Sequence, residues 1–133
     1  MKLEKLFCVK DKIVLITGGS RGIGEMIAEG FIANGAKVYI TSRKENDIRE
    51  TATRLKGKHG GICEPISCDI STIKGIESLF EEFKIKERHL DILINNAGAV
   101  WGEPLESFSE AGWDKVMDLN VKSIFFMVQK FLP

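Results

Sequence analysis

The 133-residue sequence predicts an α/β fold, a three-layer doubly wound parallel sheet, and three observations carry that expectation. Apolar runs at 13–16, 37–41 and 90–94 suit strands buried on both faces, as in a parallel sheet covered by helices. Helical apolar repeats alternate with those runs along the whole chain. A glycine-rich turn, Thr17-Gly18-Gly19-Ser20-Arg21-Gly22-Ile23-Gly24, joins the first strand to the first amphipathic helix. Such a turn leaves backbone N–H groups unpaired at the positive end of the helix dipole, an environment suited to an anionic phosphate.

The elements follow in order. After the turn, Ile23, Ile27 and Phe31 repeat on one helix face, and Asn34-Gly35 supplies the stop. Residues 37–41 make a second buried strand that ends at Ser42-Arg43, and Ile48, Ala52 and Leu55 mark the next helix. Residues 62–67 read as a third strand. Its Pro65 cannot donate to a ladder, which places that strand at an edge. Ser71 is the expected N-cap of a helix striped with Ile73, Ile76, Phe80 and Phe83. A fourth strand, 90–94, runs into Asn95-Asn96-Ala97-Gly98. The final helix is expected from about Ser109 to Phe131, and its apolar stripe spreads around the axis beyond Leu119. Four β-α units with right-handed crossovers imply strand order 3-2-1-4, with strand 4 at the second edge. A fifth strand normally lies beside it. Residues 1–133 are therefore expected to be one incomplete domain, cut after the helix that follows strand 4.

Composition narrows the function classes. Nineteen basic and nineteen acidic residues give zero formal charge, and the isoelectric point near 6.7 offers nothing to nucleic acid or an anionic membrane surface. Cys8, Cys63 and Cys68 show no metal-binding or disulfide spacing, so reduced thiols and no metal are expected. The first ten residues lack the apolar core of a secretory signal, which makes a cytoplasmic location the expectation. His59 and His89 lie in polar surroundings and read as surface residues. A Walker A loop is excluded, because no Gly-Lys-Ser/Thr follows the turn.

Together these residues resemble the short-chain dehydrogenase/reductase family over the entire chain, with a Rossmann-type fold. The turn from Thr17 to Gly24 matches that family's cofactor loop. Asp69, with Ile70 beside it, matches its adenine-contacting aspartate, and Asn95-Asn96-Ala97-Gly98 matches its strand 4 motif. The resemblance implies cofactor contacts from Thr17, Gly18, Gly19, Ser20, Arg21, Gly22, Ile23, Gly24, Asp69, Ile70, Asn95, Ala97 and Gly98. Asn120 falls where the family's catalytic asparagine holds a water in a proton relay. Within the family the chain is most similar to 3-oxoacyl thioester reductases, including a branch associated with rhamnolipid synthesis. Trp101-Gly102, Leu105-Glu106-Ser107 and Gly112-Trp113-Asp114-Lys115-Val116-Met117 carry that finer likeness, much of which sugar-acid and sugar-alcohol dehydrogenases share.

The cofactor expectation is NADP(H). Where an NAD enzyme places a carboxylate on the ribose 2′-hydroxyl stands Ser42, followed by Arg43, with Arg21 nearby on the turn. Two guanidiniums and no carboxylate suit a 2′-phosphate. An acidic residue at that point would also be usual in a methyltransferase of like topology, which weakens that alternative. The family's serine and Tyr-x-x-x-Lys pair would lie beyond residue 133, since the one tyrosine, Tyr39, has Arg43 four residues on. The 133 residues alone are thus expected to be inactive and prone to self-association. The intact protein is expected to act on a small or acyl-carrier-bound substrate as a homodimer or homotetramer. A non-catalytic NADP-binding module stands as the alternative from another class.

Overall fold

A computed structural model describes residues 2–132. A short exposed helix, α1 (Leu3–Leu6), precedes the sheet. The repeating part then runs β1 (Ile13–Thr17), α2 (Gly22–Ala33), β2 (Lys37–Ser42), α3 (Glu45–His59), β3 (Ile62–Ser67), α4 (Ile73–Lys86) and β4 (Ile92–Ile94). A 3₁₀ turn at Leu105–Ser107 leads to α5 (Glu110–Met117), a π-helical segment at Asp118–Lys122, and α6 (Ser123–Phe131). All four strands are parallel in the order β3-β2-β1-β4, as the β-α alternation predicts. Pro65 sits on β3 at the edge, opposite Ile40.

Successive strand residues point to opposite faces, and the burial follows that period of two. Val14, Ile16, Val38 and Ile40 face one core with Ala28, Ile32, Ile48, Ala52 and Leu55 from α2 and α3. Leu15 and Tyr39 face the other, with Leu79 and Phe83 from α4 and Met127 from α6. Leu15, Ile16 and Ile40 are wholly inaccessible, each contributing about 1.5–3 kcal/mol by burial. Tyr39 is a core residue. Its ring meets Phe83 edge-on at 5.0 Å, and its hydroxyl donates to Glu87 Oε1 at 2.6 Å. Burial and the Glu87 carboxylate both push this phenol above its ordinary range, while Lys37 also pairs with Glu87.

Four local expectations need correction. The buried line of α2 is Gly24, Ala28 and Ile32, flanked by Ile27 and Phe31, whereas Ile23 is 70% exposed. The N-cap of α4 is Thr72, whose hydroxyl accepts from Gly75 N at 3.0 Å; Ser71 is captured by Asp69 Oδ1 through both its N–H and its hydroxyl. Strand β4 has three residues instead of five; Asp91, just before it, donates its N–H to Ile13 O at 3.0 Å and accepts from Ile13 N through Oδ2 at 2.8 Å. The long last helix is interrupted. The π segment admits an extra residue, which accounts for the change of apolar phase around Leu119. Ser109 does cap α5, accepting from Gly112 N at 3.1 Å.

His59, the last residue of α3, lies 2.9 Å from Glu29 of α2, and Lys58 and His59 together hold that carboxyl below its usual range. His89 is largely exposed beside Asp91. No helix among the described residues is long and apolar enough to cross a membrane.

Candidate cofactor-binding site

The carboxyl ends of all four strands converge on one cleft of about 390 Å³. Order reverses there, since β1 is flanked by β2 on one side and β4 on the other. Open doubly wound sheets take ligands at such a switch point. Gly18, Ser20, Arg21 and Gly22 line the cleft after β1, and Thr41, Ser42 and Arg43 at the end of β2. Cys68, Asp69 and Ile70 follow β3. Asn96, Ala97 and Gly98 follow β4, and Leu119 closes the wall from the π segment.

The turn needs glycine at stated points. Gly18 and Gly22 have φ of +69° and +57°, the left-handed region where a Cβ is strained. Gly24 is held by proximity: a Cβ there would lie 2.1 Å from the Gly18 carbonyl oxygen and 2.5 Å from Asn96 Nδ2. Gly18 and Gly19 N–H donate to Thr41 O at 2.9 and 3.1 Å, which ties the turn to β2. Arg21 is the N-cap of α2 and gives it no side-chain cap. The first-turn N–H groups therefore have neither a helical acceptor nor a side-chain cap, and Gly22 among them lines the cleft.

A second set of bonds fixes the turn to the β4 loop. Thr17 Oγ1, buried, accepts from Asn96 N and Ala97 N, each at 3.0 Å. Asn96 Nδ2 in return donates to Thr17 O at 3.0 Å and Gly18 O at 3.2 Å. Asn120, in the π segment, clamps the next stretch: its Oδ1 accepts from Ala99 N at 2.7 Å and its Nδ2 donates to Ala99 O at 2.8 Å. Both polar atoms of that side chain thus hold backbone.

The sequence-expected residues separate into two groups. Gly18, Ser20, Arg21, Gly22, Ser42, Arg43, Asp69, Ile70, Ala97 and Gly98 line the cleft together. Thr17, Gly19, Ile23, Gly24, Asn95 and Asn120 do not. Thr17 and Gly24 shape the turn from behind, Gly19 is packed against Ile40, and Ile23 projects from the start of α2. Within the asparagine pair it is Asn96, not Asn95, that lines the cleft, because the chain turns one residue after β4. Thr41, Cys68 and Leu119 join the lining without having been singled out from the sequence. Burial pushes the Cys68 thiol up to about 11, against the Thr41 hydroxyl 3.1 Å away, so it is a neutral thiol at neutral pH.

The charges in the cleft are unbalanced. Arg49 and Arg54 on α3 pair with Glu45 and Glu25, whereas Arg21 and Arg43 pair with no carboxylate among the described residues. Asp69 is the acid of the lining, and its Oδ1 is occupied by Ser71.

A glycine-rich strand-turn-helix at the switch point of a parallel sheet is the architecture of nucleotide-binding α/β proteins. The chain belongs to the short chain dehydrogenase family, whose sequence profile matches residues 12–133. It is 46% identical over 131 residues to the rhamnolipids biosynthesis 3-oxoacyl-[acyl-carrier-protein] reductase of Pseudomonas aeruginosa, covering 98% of this chain and 50% of that protein. A Pseudomonas aeruginosa RhlG/NADP active-site complex superposes with a TM-score of 0.89 at 46% identity, over 96% of this chain and 49% of that one. L-sorbose reductase from Gluconobacter frateurii, complexed with NADPH and L-sorbose, gives 0.89 at 30% identity, over 92% and 47%. The chain spans about half the length of the relatives it matches.

Proposed function

We propose that these residues form the cofactor-binding half of an NADP-dependent oxidoreductase that reduces the keto group of a 3-oxoacyl thioester to a 3-hydroxyacyl thioester. The observation that carries the cofactor reading is the pair of unpaired guanidiniums, Arg21 and Arg43, flanking Ser42 in the cleft. The N–H groups at the start of α2 would hold the pyrophosphate, and the two arginines the 2′-phosphate. NADPH supplies the hydride when bound. Thr17, Asn96 and Asn120 keep the walls of its site in place through the backbone bonds described above.

The substrate reading rests on the 46% relative. A sugar or sugar-acid substrate is the second reading, supported by the L-sorbose reductase likeness. The proton that a carbonyl reduction consumes needs a titratable group near neutral pH. The asparagine amide of Asn120 is not one, so that part of the chemistry is assigned to family residues outside this sequence, and the 133 residues alone are proposed to be inactive.

The test is a paired titration with NADPH and NADH. Ser42→Asp with Arg43→Ala removes a phosphate partner and adds a like charge, and should erase an NADPH preference of about tenfold or more. Equal affinity of the unmutated protein for both cofactors would overturn the assignment. Turnover of a 3-oxoacyl thioester compared with L-sorbose, in a chain carrying the remaining half, separates the two substrate readings.

A further inference from the structure

Thr51 lies on α3, thirty-one residues from the phosphate turn in sequence, and its side chain donates to the Ser20 carbonyl oxygen at 2.8 Å. It is 3% exposed. We propose that Thr51 is a positioning residue for cofactor binding, holding the Ser20–Arg21 peptide so that its N–H faces the cleft. This rests on the cofactor reading above.

The argument begins with what a helical threonine ordinarily does. Its hydroxyl bonds back to the carbonyl one turn earlier, as Thr53 Oγ1 does to Arg49 O at 2.9 Å. Thr51, two residues away on the same helix, reaches out of α3 instead. In a planar trans peptide the C=O and N–H point in opposite directions. Drawing the Ser20 oxygen toward α3 therefore turns the Arg21 N–H away from α3. That direction is the cleft, which Ser20 and Arg21 line and to which α3 contributes no lining residue.

Electrostatics gives the same orientation a purpose. A carbonyl oxygen aimed at a bound pyrophosphate would repel it, so each carbonyl around the turn needs a partner elsewhere. Asn96 takes Thr17 O and Gly18 O, and Thr51 takes Ser20 O. The β4 loop and α3 thus hold the turn from two sides. Thr51 does not line the cleft and acts through the backbone it holds.

The experiment measures Kd for NADPH and for 2′-AMP, which carries the 2′-phosphate but no pyrophosphate, in Thr51→Val, Thr51→Ala and Thr51→Ser. Valine keeps the shape and removes the donor. The Val and Ala variants should bind NADPH about tenfold more weakly while 2′-AMP changes less than about twofold, and Ser should restore NADPH binding. Should Val disturb folding, Ala carries the comparison, since it crowds nothing. Unchanged NADPH affinity in Val or Ala would overturn the proposal, as would equal losses for both ligands in step with a falling melting temperature. Failure of the unmutated protein to bind NADPH would instead overturn the cofactor reading itself.

Discussion

Gly24→Ala is the most direct test of how the turn is built. The new methyl would stand 2.1 Å from the Gly18 carbonyl oxygen and 2.5 Å from Asn96 Nδ2, distances that real Cβ contacts do not reach. Either α2 moves off the sheet or the Asn96 amide leaves its two carbonyls. Overpacking costs about 1–3 kcal/mol, and the two Asn96 bonds, to Thr17 O and Gly18 O, about 1 kcal/mol each. A loss of about 3 kcal/mol should lower the melting temperature on the order of 10 °C for a chain of this size. NADPH affinity should fall by more than tenfold, because Gly18 belongs to the cleft wall. Gly30→Ala is the control: it is a helical position in α2 where a Cβ meets nothing within 4 Å, and it should stabilise by up to about 1 kcal/mol. Differential scanning fluorimetry and a fluorescence titration with NADPH read both quantities. If Gly24→Ala melted within about 2 °C of the parent and bound NADPH equally well, the close approach of helix and turn would be wrong.

Two further outcomes follow from the thiols and carboxylates. Cys68 lines the cleft with its pKa pushed to about 11, chiefly by burial, so iodoacetamide at pH 8 should modify exposed Cys8 well before Cys68, and NADPH should slow Cys68 alone. Mass spectrometry of the alkylated peptides checks this, and equal rates at Cys8 and Cys68 would refute it. Asp91 is held below the usual carboxylate range, first by the Ile13 N–H and then by Lys12. Its stabilising effect is therefore present above about pH 4 and lost as pH falls further. The melting difference between the parent and Asp91→Asn should accordingly shrink between pH 7 and pH 3. A difference constant across that range would show that the Ile13 bond does not depend on the charge.

The sheet was readable because its evidence is carried by residue type alone. Apolar runs long enough for buried strands, a proline that fits only an edge, and a glycine turn after the first strand leave little room for another strand order. The structure departs from the sequence reading where two similar residues compete for one geometric role. Ser71 and Thr72 are both good caps, and the choice falls to Thr72 because Asp69 takes Ser71 first. Asn95 and Asn96 differ by one position, and only the exact end of β4 decides which faces the cleft. The π segment shows in the sequence as a change of apolar phase, but its cause, an extra residue in the ladder, does not. Thr51 has no local signature at all. A threonine in the middle of an amphipathic helix reads as filler until the turn it reaches is folded against it.

The cleft draws wall residues from after every strand of the sheet. It cannot exist in part. Any excursion that peels β3 or β4 from the sheet destroys the binding site along with the packing, so a ligand seated there is linked to nearly the whole folding equilibrium. At a concentration of one hundred times Kd such a ligand adds about 2.7 kcal/mol to stability. The turnover of this protein by proteases that attack opened chains should then follow the nucleotide supply, slowing where cofactor is abundant and quickening where it is scarce.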